Sequence, residues 1–297
     1  MIQLVERSSK KELTERIYGE KWLKRGQSPL LDPFVNNSLI QRAVSVCYGA
    51  FQKTPFSSNK VQKFCGKYNI DLNDFVVPDK HSFDSFNQFF IRRYKEHKRS
   101  FPQAEKIFAA CAEGRLSAFR LGSPESPSPL LVKGAAVEWP KLLGALSDHA
   151  ALFAGGSALV FRLCPSDYHR FHFPDSGALL EHSSERGKLY SVNPITLEKR
   201  PQVFLQNKRH VSILDTKNFG KIAYIEVGAY CVGSIKQSFE PKEAFFRGQE
   251  KGYFEFGGST VVLLCQKQLK IDSDLLQNTG EGKETLVQLG EKIAEST

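Results

Sequence analysis

The chain has 297 residues, of which 41% are hydrophobic and 25% charged, with 22 Gly and 14 Pro. This composition is typical of a folded globular protein of about two domains and excludes a collagen-like or low-complexity chain. The 41 Lys and Arg outnumber the 32 Asp and Glu, so the formal net charge is +9. Most of this excess lies in residues 1–104, which carry 18 basic and 10 acidic residues. We therefore expect the N-terminal third to face an anionic partner, with plain solvation of the charges as the alternative.

The cysteines and the hydropathy pattern indicate where the protein works. No two of the six cysteines are closer than eighteen residues, so none has zinc or redox-motif spacing. The longest stretch without Asp, Glu, Lys or Arg, residues 149–161, is shorter than the ~18 residues that cross a bilayer. The N-terminus has no apolar signal segment. We expect reduced thiols and an intracellular protein.

The first hundred residues are predicted to be largely helical. Residues 1–36 indicate a polar approach segment with a short helix around Glu12–Lys24. Residues 37–100 have helical periodicity, with Lys side chains between the apolar positions of residues 59–70. Such basic amphipathic helices either lie in a membrane interface or pack on the protein's own core, and the pattern alone favours the core. The aromatic positions predicted to form a buried stripe are Phe83, Phe86, Phe89 and Phe90.

The periodicity changes at about residue 105. Short runs of β-branched and aromatic residues, separated by Gly, Pro, Asn and Asp, follow one another and predict strands. Only the tail, residues 283–296, returns to helical periodicity. The sequence therefore predicts an α+β fold, with a basic helical region over residues 1–104 packed on a β-rich body over residues 105–297 that ends in a short helix.

Three residues are candidates for chemistry, although their spacing alone is weak evidence. His169 and His172 lie three residues apart in RLCPSDYHRFHFPDSG, without further ligands at zinc spacing. Ser259 follows Gly257 and Gly258 and precedes a strong strand pattern. Glycine permits strained backbone and close approach, and serine offers a hydroxyl nucleophile.

Taken together, the segments resemble the phosphatidylserine decarboxylase family. The resemblance covers most of the chain, and its blocks follow one another in the family's order. In AACAEGRL, Glu113 stands where the family usually has Asp. The matching blocks are residues 86–103, 109–116, 161–177, 187–194, 227–235 and 252–264.

The resemblance implies that the chain cleaves itself between Gly258 and Ser259. Ser259 would attack the carbonyl of Gly258 and become a covalent pyruvoyl group, leaving chains 1–258 and 259–297 as a heterodimer. The resemblance makes His172 the base that activates Ser259 and Glu113 the acid that orients His172. It gives His169 contact with the substrate and its protonation.

The implied activity is decarboxylation of phosphatidylserine to phosphatidylethanolamine through a Schiff base on the pyruvoyl group. Neither pyridoxal phosphate nor a metal is expected. The expected partner is phosphatidylserine in an anionic membrane surface rather than nucleic acid, and the expected location is peripheral, on the cytoplasmic side of the cell membrane. Two alternatives stay open: a pyruvoyl-dependent decarboxylase of a soluble amino acid, and a non-catalytic β domain that binds membranes.

Overall fold

The computed structural model describes most of the chain. The described residues are 3–14, 46–78, 82–122, 129–132, 135–190, 192, 202–229, 234–240, 244–257 and 259–296. Most of the helix expected around Glu12–Lys24, the start of the helical region at residues 37–45, and Gly258 lie outside them.

Strands dominate the described residues. In chain order they are β1 Gln3–Glu6, β2 Lys11–Thr14, β3 Ile107–Ala109, β4 Gly114–Arg120, β5 Leu130–Val132, β6 Ala135–Val137, β7 Ser157–Leu163, β8 Arg170–His172, β9 Gly177–Glu185, β10 Arg209–Thr216, β11 Gly220–Gly228, β12 Ile235–Gln237, β13 Glu250–Phe254, β14 Ser259–Cys265, β15 Lys270–Ile271, β16 Glu284–Val287 and β17 Lys292–Glu295.

The helices are short. They are α1 Lys60–Tyr68, α2 Phe86–Phe90, α3 Trp139–Leu142, α4 Ala150–Phe153, α5 Val203–Gln206 and α6 Ser273–Gly280. Residues 46–52 are also helical, and the 3-10 turns are Pro55–Ser57, Leu72–Asp74 and Gly144–His149. Few helices around many strands confirm the predicted α+β class.

A nine-stranded sheet in the order β2-β1-β16-β4-β7-β14-β11-β10-β9 forms the framework. Every pairing within it is antiparallel apart from that of β1 with β16. Strand β14 reads STVVLLC and is buried along its whole length, as expected for a continuous apolar run in the middle of a sheet. Its first residue, Ser259, lies opposite Leu163 of β7 and Gly228 of β11.

A smaller sheet, in the order β12-β13-β8, brings the histidine segment to the start of β14. Strand β13 pairs with β8, and the backbone N–H of Phe254 donates to the carbonyl of His169 at 3.0 Å. The chain then continues through Phe256 towards Ser259. The fold therefore places His169 beside the strand that carries the serine.

The aromatic stripe is buried, as predicted. An apolar cluster joins Val61, Phe64 and Cys65 of α1 to Phe83 and the phenylalanines of α2. The cluster also includes Phe256, which makes edge contacts with Phe86 and Phe90 at 5.3 and 5.1 Å between ring centroids. We call residues 46–78 and 82–92 the helical segment. It covers the residues that lead to Ser259, so part of its apolar face is buried in the protein core.

Two secondary-structure predictions are wrong. Residues 12–14, expected to begin a helix, belong to β2, because β1 pairs with β16 from the far end of the chain. The tail, expected to be a helix, forms β16 and β17. Gly290 between them has φ +79°, and a Cβ there would lie 2.3 Å from the carbonyl oxygen of Ser100. A continuous helix cannot pass through this turn. The short helix near the C-terminus is α6, which ends before the tail begins.

Candidate active site

Ser259 lies in the protein interior with its hydroxyl beside a histidine. Its side chain has no solvent exposure, and β14 lies between β7 and β11 in the large sheet. The Oγ atom lies 3.2 Å from Nδ1 of His169, whose ring is also fully buried. The predicted serine and one of the two predicted histidines are therefore in direct contact.

The tautomer of His169 follows from its other hydrogen bond. Nε2 lies 2.9 Å from the carbonyl oxygen of Cys164. A carbonyl only accepts hydrogen bonds, so Nε2 carries the proton. Burial, and then the positive charge of Arg92, hold the pKa of His169 well below its ordinary value. The ring is therefore neutral at pH 7, and Nδ1 presents a lone pair that accepts the hydroxyl proton of Ser259.

The turn before His169 holds the ring in place. The carbonyl of Cys164 also accepts from the backbone N–H of Asp167 at 2.8 Å. The Asp167 carboxylate in turn accepts from the backbone N–H of Cys164 at 2.6 Å and pairs with Arg115 of β4. A carboxylate thus orients the histidine indirectly, through the backbone of the turn.

Two residues of the helical segment complete the surroundings of His169. The ring of Phe90 stacks on the imidazole with 3.8 Å between centroids. The buried guanidinium of Arg92 donates to the carbonyls of Ser166 and Asp167 at 2.8 and 3.0 Å. Phe90 keeps water from the imidazole and the positive charge of Arg92 disfavours its protonation, and together they lower the pKa of His169.

His172 occupies a different place. Its Nδ1 lies 2.8 Å from the carbonyl oxygen of Gly248, so Nδ1 carries the proton. Burial lowers the pKa of His172, and the neutral ring leaves a lone pair on Nε2. Within the described part of the chain, this buried Nε2 has no hydrogen-bond partner. Nε2 of His172 is therefore a free acceptor at the end of β8, three residues after His169.

Glu113 is held by residues other than the histidines. Its carboxylate accepts from the Tyr94 hydroxyl at 2.7 Å, from Nε of Arg99 at 2.9 Å and from the backbone N–H of Leu289 at 3.3 Å. No hydrogen bond or ion pair joins Glu113 to His172 among the residues that the structure describes. The arrangement expected from the resemblance, with Glu113 orienting His172 and His172 activating Ser259, is not assembled in this conformation.

The structure adds residues that sequence reasoning did not assign. Phe90 and Arg92 lie in FNQFFIRRYKEHKRSFPQ, and Cys164 and Asp167 lie in the histidine block itself. Cys164 and Asp167 lie close to the histidines in sequence, which was a signal. Phe90 and Arg92 lie in another block, and only the tertiary structure brings them to His169. The contribution of Cys164 comes from its backbone carbonyl, which residue type does not reveal.

A buried serine hydroxyl that donates to a neutral imidazole is the arrangement of an enzyme whose serine reacts as a nucleophile. Comparisons with known proteins identify the family. The family model for phosphatidylserine decarboxylase matches residues 86–295. The chain belongs to the phosphatidylserine decarboxylase family, a family of decarboxylase enzymes.

Relatives that match over almost the whole chain support this family assignment. The chain is 39% identical over 295 residues to the phosphatidylserine decarboxylase proenzyme of Clostridium novyi (strain NT), with 99% of each chain covered. It is also 39% identical to the proenzymes of the same name from Clostridium tetani and Ruminiclostridium cellulolyticum, covering 99% of this chain and 98% and 97% of theirs. In the described residues, no helix has the length and apolar character needed to span a membrane.

Proposed function

We propose that this protein is a self-cleaving phosphatidylserine decarboxylase whose pyruvoyl group derives from Ser259. The family membership and the word proenzyme in the names of its relatives support a chain that requires processing. The observation that carries the proposal is the hydrogen bond from Ser259 Oγ to Nδ1 of the buried, neutral His169. A serine hydroxyl becomes a nucleophile when an adjacent base accepts its proton.

The cleavage step uses only this chain and one water. Oγ of Ser259 bonds to the carbonyl carbon of Gly258 while its proton passes to a histidine. The C–N bond between the two residues breaks, its nitrogen takes up the proton, and an ester remains. Loss of the Ser259 Cα proton and of the Cβ–Oγ bond releases residues 1–258 with a carboxylate end. Water then displaces the nitrogen as ammonia, and a ketone is left on residue 259.

Two assignments of the base are compared. The contacts favour His169, because its Nδ1 accepts from Ser259 and its protonated Nε2 is fixed by the Cys164 carbonyl. The resemblance favours His172 with Glu113 as orienting acid, but here Gly248 holds His172, and Tyr94 and Arg99 hold the carboxylate of Glu113. We propose His169 for the proton of Ser259 and His172 for the substrate.

The residues around Ser259 fit a covalent pyruvoyl group. The hydroxyl of Thr260 is buried without a hydrogen-bond partner in the described part of the chain, as is Nε2 of His172. Thr260 projects to the opposite face of β14 from Ser259, whereas Nε2 of His172 is available to a carbonyl, an amine or water. A pyruvoyl group supplies a ketone that condenses with a primary amine and withdraws electrons while a carboxylate leaves as CO2. Because the Nδ1 proton of neutral His172 is donated to the Gly248 carbonyl, Nε2 is the atom of this ring that can take a proton from the substrate.

The helical segment provides a surface suited to an anionic membrane. Its exposed apolar side chains include Val46, Phe51 and Phe56, the last with 81% of its area accessible. Lysines accompany them, with Nζ of Lys60 4.5 Å from the centroid of the Phe51 ring. Each Lys held near an anionic leaflet adds ~1 kcal/mol of attraction. We propose that this surface docks on the cytoplasmic side of the cell membrane, where phosphatidylserine is the substrate.

Vesicles test the proposed activity. The purified protein should convert phosphatidylserine in mixed vesicles to phosphatidylethanolamine with release of CO2, and Ser259→Ala should not. Added pyridoxal phosphate should restore nothing to that variant. Turnover of free serine in preference to vesicles would instead support a decarboxylase of a soluble amino acid. An intact chain that binds vesicles without releasing CO2 would support the non-catalytic alternative.

The membrane surface is tested separately. Phe56→Ser should reduce sedimentation with anionic vesicles and slow turnover of vesicle substrate while self-cleavage remains normal. Val76→Ser is the matched control, because Val76 is also exposed and apolar but lies outside the Val46–Phe56 surface. Equal loss of vesicle binding in both variants, or in neither, would contradict the assignment of this surface.

A further inference from the structure

The N-terminal hairpin, residues 3–14, forms hydrogen bonds and ion pairs with the C-terminal part of the chain. In the described residues, every hydrogen bond and ion pair that leaves the hairpin ends within residues 272–292. These residues belong to the segment 259–297, which self-cleavage would separate from residues 1–258. The first strand of the protein thus holds the segment that becomes the small chain.

Arg7 makes the central contacts. Its guanidinium donates to Asp274 at 2.8 Å, to Asp272 at 2.7 Å and to Glu291 at 3.1 Å. A further bond goes to the carbonyl of Lys292. The Arg7 side chain is only 15% exposed, so water screens these contacts less than those of a surface pair. Arg7 therefore pairs with three carboxylates, one of which, Asp272, also lies 3.7 Å from Nζ of Lys292.

The backbone reinforces this contact. Strand β1 runs parallel to β16, with Leu4 opposite Glu284 and Glu6 opposite Leu286, and the N–H of Arg7 donates to the carbonyl of Leu286. On its other side β16 pairs with β4. Without the hairpin, the four-residue β16 would be an edge strand with unpaired backbone groups. With it, β16 lies between two strands of the large chain.

We propose that the N-terminal hairpin is a clasp that retains residues 259–297 after self-cleavage. The inference rests on the proposed cleavage. Before cleavage the peptide bond keeps the segment in place, and afterwards only non-covalent contacts do. Strand β14 anchors one half of the 39-residue segment (297 − 258) in the core. The clasp adds to the pairing of β16 with β4 and of β17 with β3 in anchoring the other half, and so helps to keep the small chain, with the group on residue 259, seated in the site.

The test uses the full chain with an affinity tag at its C-terminus, which cleavage leaves on the small chain. The immobilised protein is washed with increasing urea, and the large chain released at each step is measured. Arg7→Ala should release the large chain about tenfold faster than wild type, equivalent to ~1.4 kcal/mol. Asp274→Asn should act in the same direction with a smaller effect. Lys11→Ala is the matched hairpin control and should behave as wild type. Equal release from Arg7→Ala and wild type would overturn the clasp.

A second measurement separates the clasp from the proposed cleavage. A denaturing gel shows whether the wild-type chain is cleaved, and an uncleaved chain would refute the proposed function. The effect of the clasp is then measured in the uncleaved Ser259→Ala variant, as the rate of amide hydrogen exchange in residues 284–287. Adding Arg7→Ala should accelerate exchange there about tenfold and leave β10 unchanged. Unchanged exchange in residues 284–287 would refute the clasp whether or not the chain cleaves.

Discussion

Oγ of Ser259 lies 3.2 Å from Nδ1 of His169, and both side chains are fully buried. The imidazole is neutral because burial and Arg92 lower its pKa, and its orientation is fixed by the Cys164 carbonyl. The serine therefore has a proton acceptor in place without a rearrangement. This relationship distinguishes the two histidines of the block, which are equivalent by residue type.

The two histidines should separate in a comparison of self-cleavage. His169→Ala removes the acceptor of the Ser259 proton and should slow cleavage at least about 100-fold, within the range of general-base catalysis. His172→Ala should cleave and then fail to decarboxylate phosphatidylserine. Both are measured as the fraction of intact chain against time on denaturing gels.

Glu113→Gln provides the control for this assignment. Because Tyr94 and Arg99, rather than a histidine, hold the Glu113 carboxylate, the variant should still cleave. Loss of cleavage in both Glu113→Gln and His172→Ala, with cleavage retained in His169→Ala, would restore the assignment that the resemblance implies.

Self-cleavage should be insensitive to pH around the ordinary pKa of histidine. The pKa of His169 is lowered by burial first and then by Arg92, so the base stays neutral as the pH falls through 6.5. The cleavage rate, followed on refolding at a series of pH values, should stay flat from pH 8 through 6.5 and fall only well below pH 6.5. A rate that halves near pH 6.5 would show a solvated base and contradict the assignment.

The same pKa shifts predict how stability depends on pH. The unfolded chain binds protons at its histidines near pH 6.5, whereas burial lowers the pKa of His169 and His172 in the folded chain, and that of His210 to about 4. The unfolded state therefore binds more protons below pH 6.5, and the free energy of unfolding falls as the pH drops from there. Urea midpoints measured between pH 7 and 5 should fall accordingly.

Phe90 should act on cleavage through His169. Phe90→Leu removes the ring stacked 3.8 Å from the imidazole and admits water, so the pKa of His169 should rise and cleavage should become dependent on pH near 6.5. Phe83→Leu is the matched control, because Phe83 is buried in the same cluster and contacts Phe89 instead. Both should lose ~1–3 kcal/mol of stability. Identical pH profiles would show that Phe90 only fills space.

A buried ion pair between β11 and β13 gives a stability prediction. Nζ of Lys251 lies 2.5 Å from Oε1 of Glu226, and both side chains have no exposure. Lys251→Met leaves a buried carboxylate without its cation and should cost ~3–5 kcal/mol. Combining it with Glu226→Leu should recover most of this loss. Lys217→Met, which breaks an exposed pair with Glu105, should leave the denaturation midpoint unchanged. Equal midpoints for all single variants would contradict the prediction.

Local patterns predicted part of the fold. The helix over residues 60–68 and the buried phenylalanines of residues 83–90 follow from periodicity, and β14 follows from an unbroken apolar run. The two errors involve strands paired across the whole chain. Leu286, Leu289 and Ile293 have helical spacing, but their segment pairs with β1 and β3 and turns at Gly290, which only tertiary structure decides.

The candidate site was partly predictable for a similar reason. Ser259 and the histidine pair stand out by residue type and order, and the structure brings Ser259 to His169. Which imidazole faces the serine depends on the turn at Cys164 and on the partners of each ring nitrogen. Glu113 has the expected charge, but its carboxylate accepts hydrogen bonds from Tyr94 and Arg99 rather than from His172.

Intact-mass spectrometry of freshly purified protein tests self-cleavage most directly. Cleavage before Ser259 should give two species, residues 1–258 and a small chain that begins with a ketone. The small chain should resist N-terminal sequencing and gain mass with hydroxylamine. Ser259→Ala should remain one chain of 33.4 kDa. A folded wild-type protein that stays at 33.4 kDa and does not react with hydroxylamine would contradict the account.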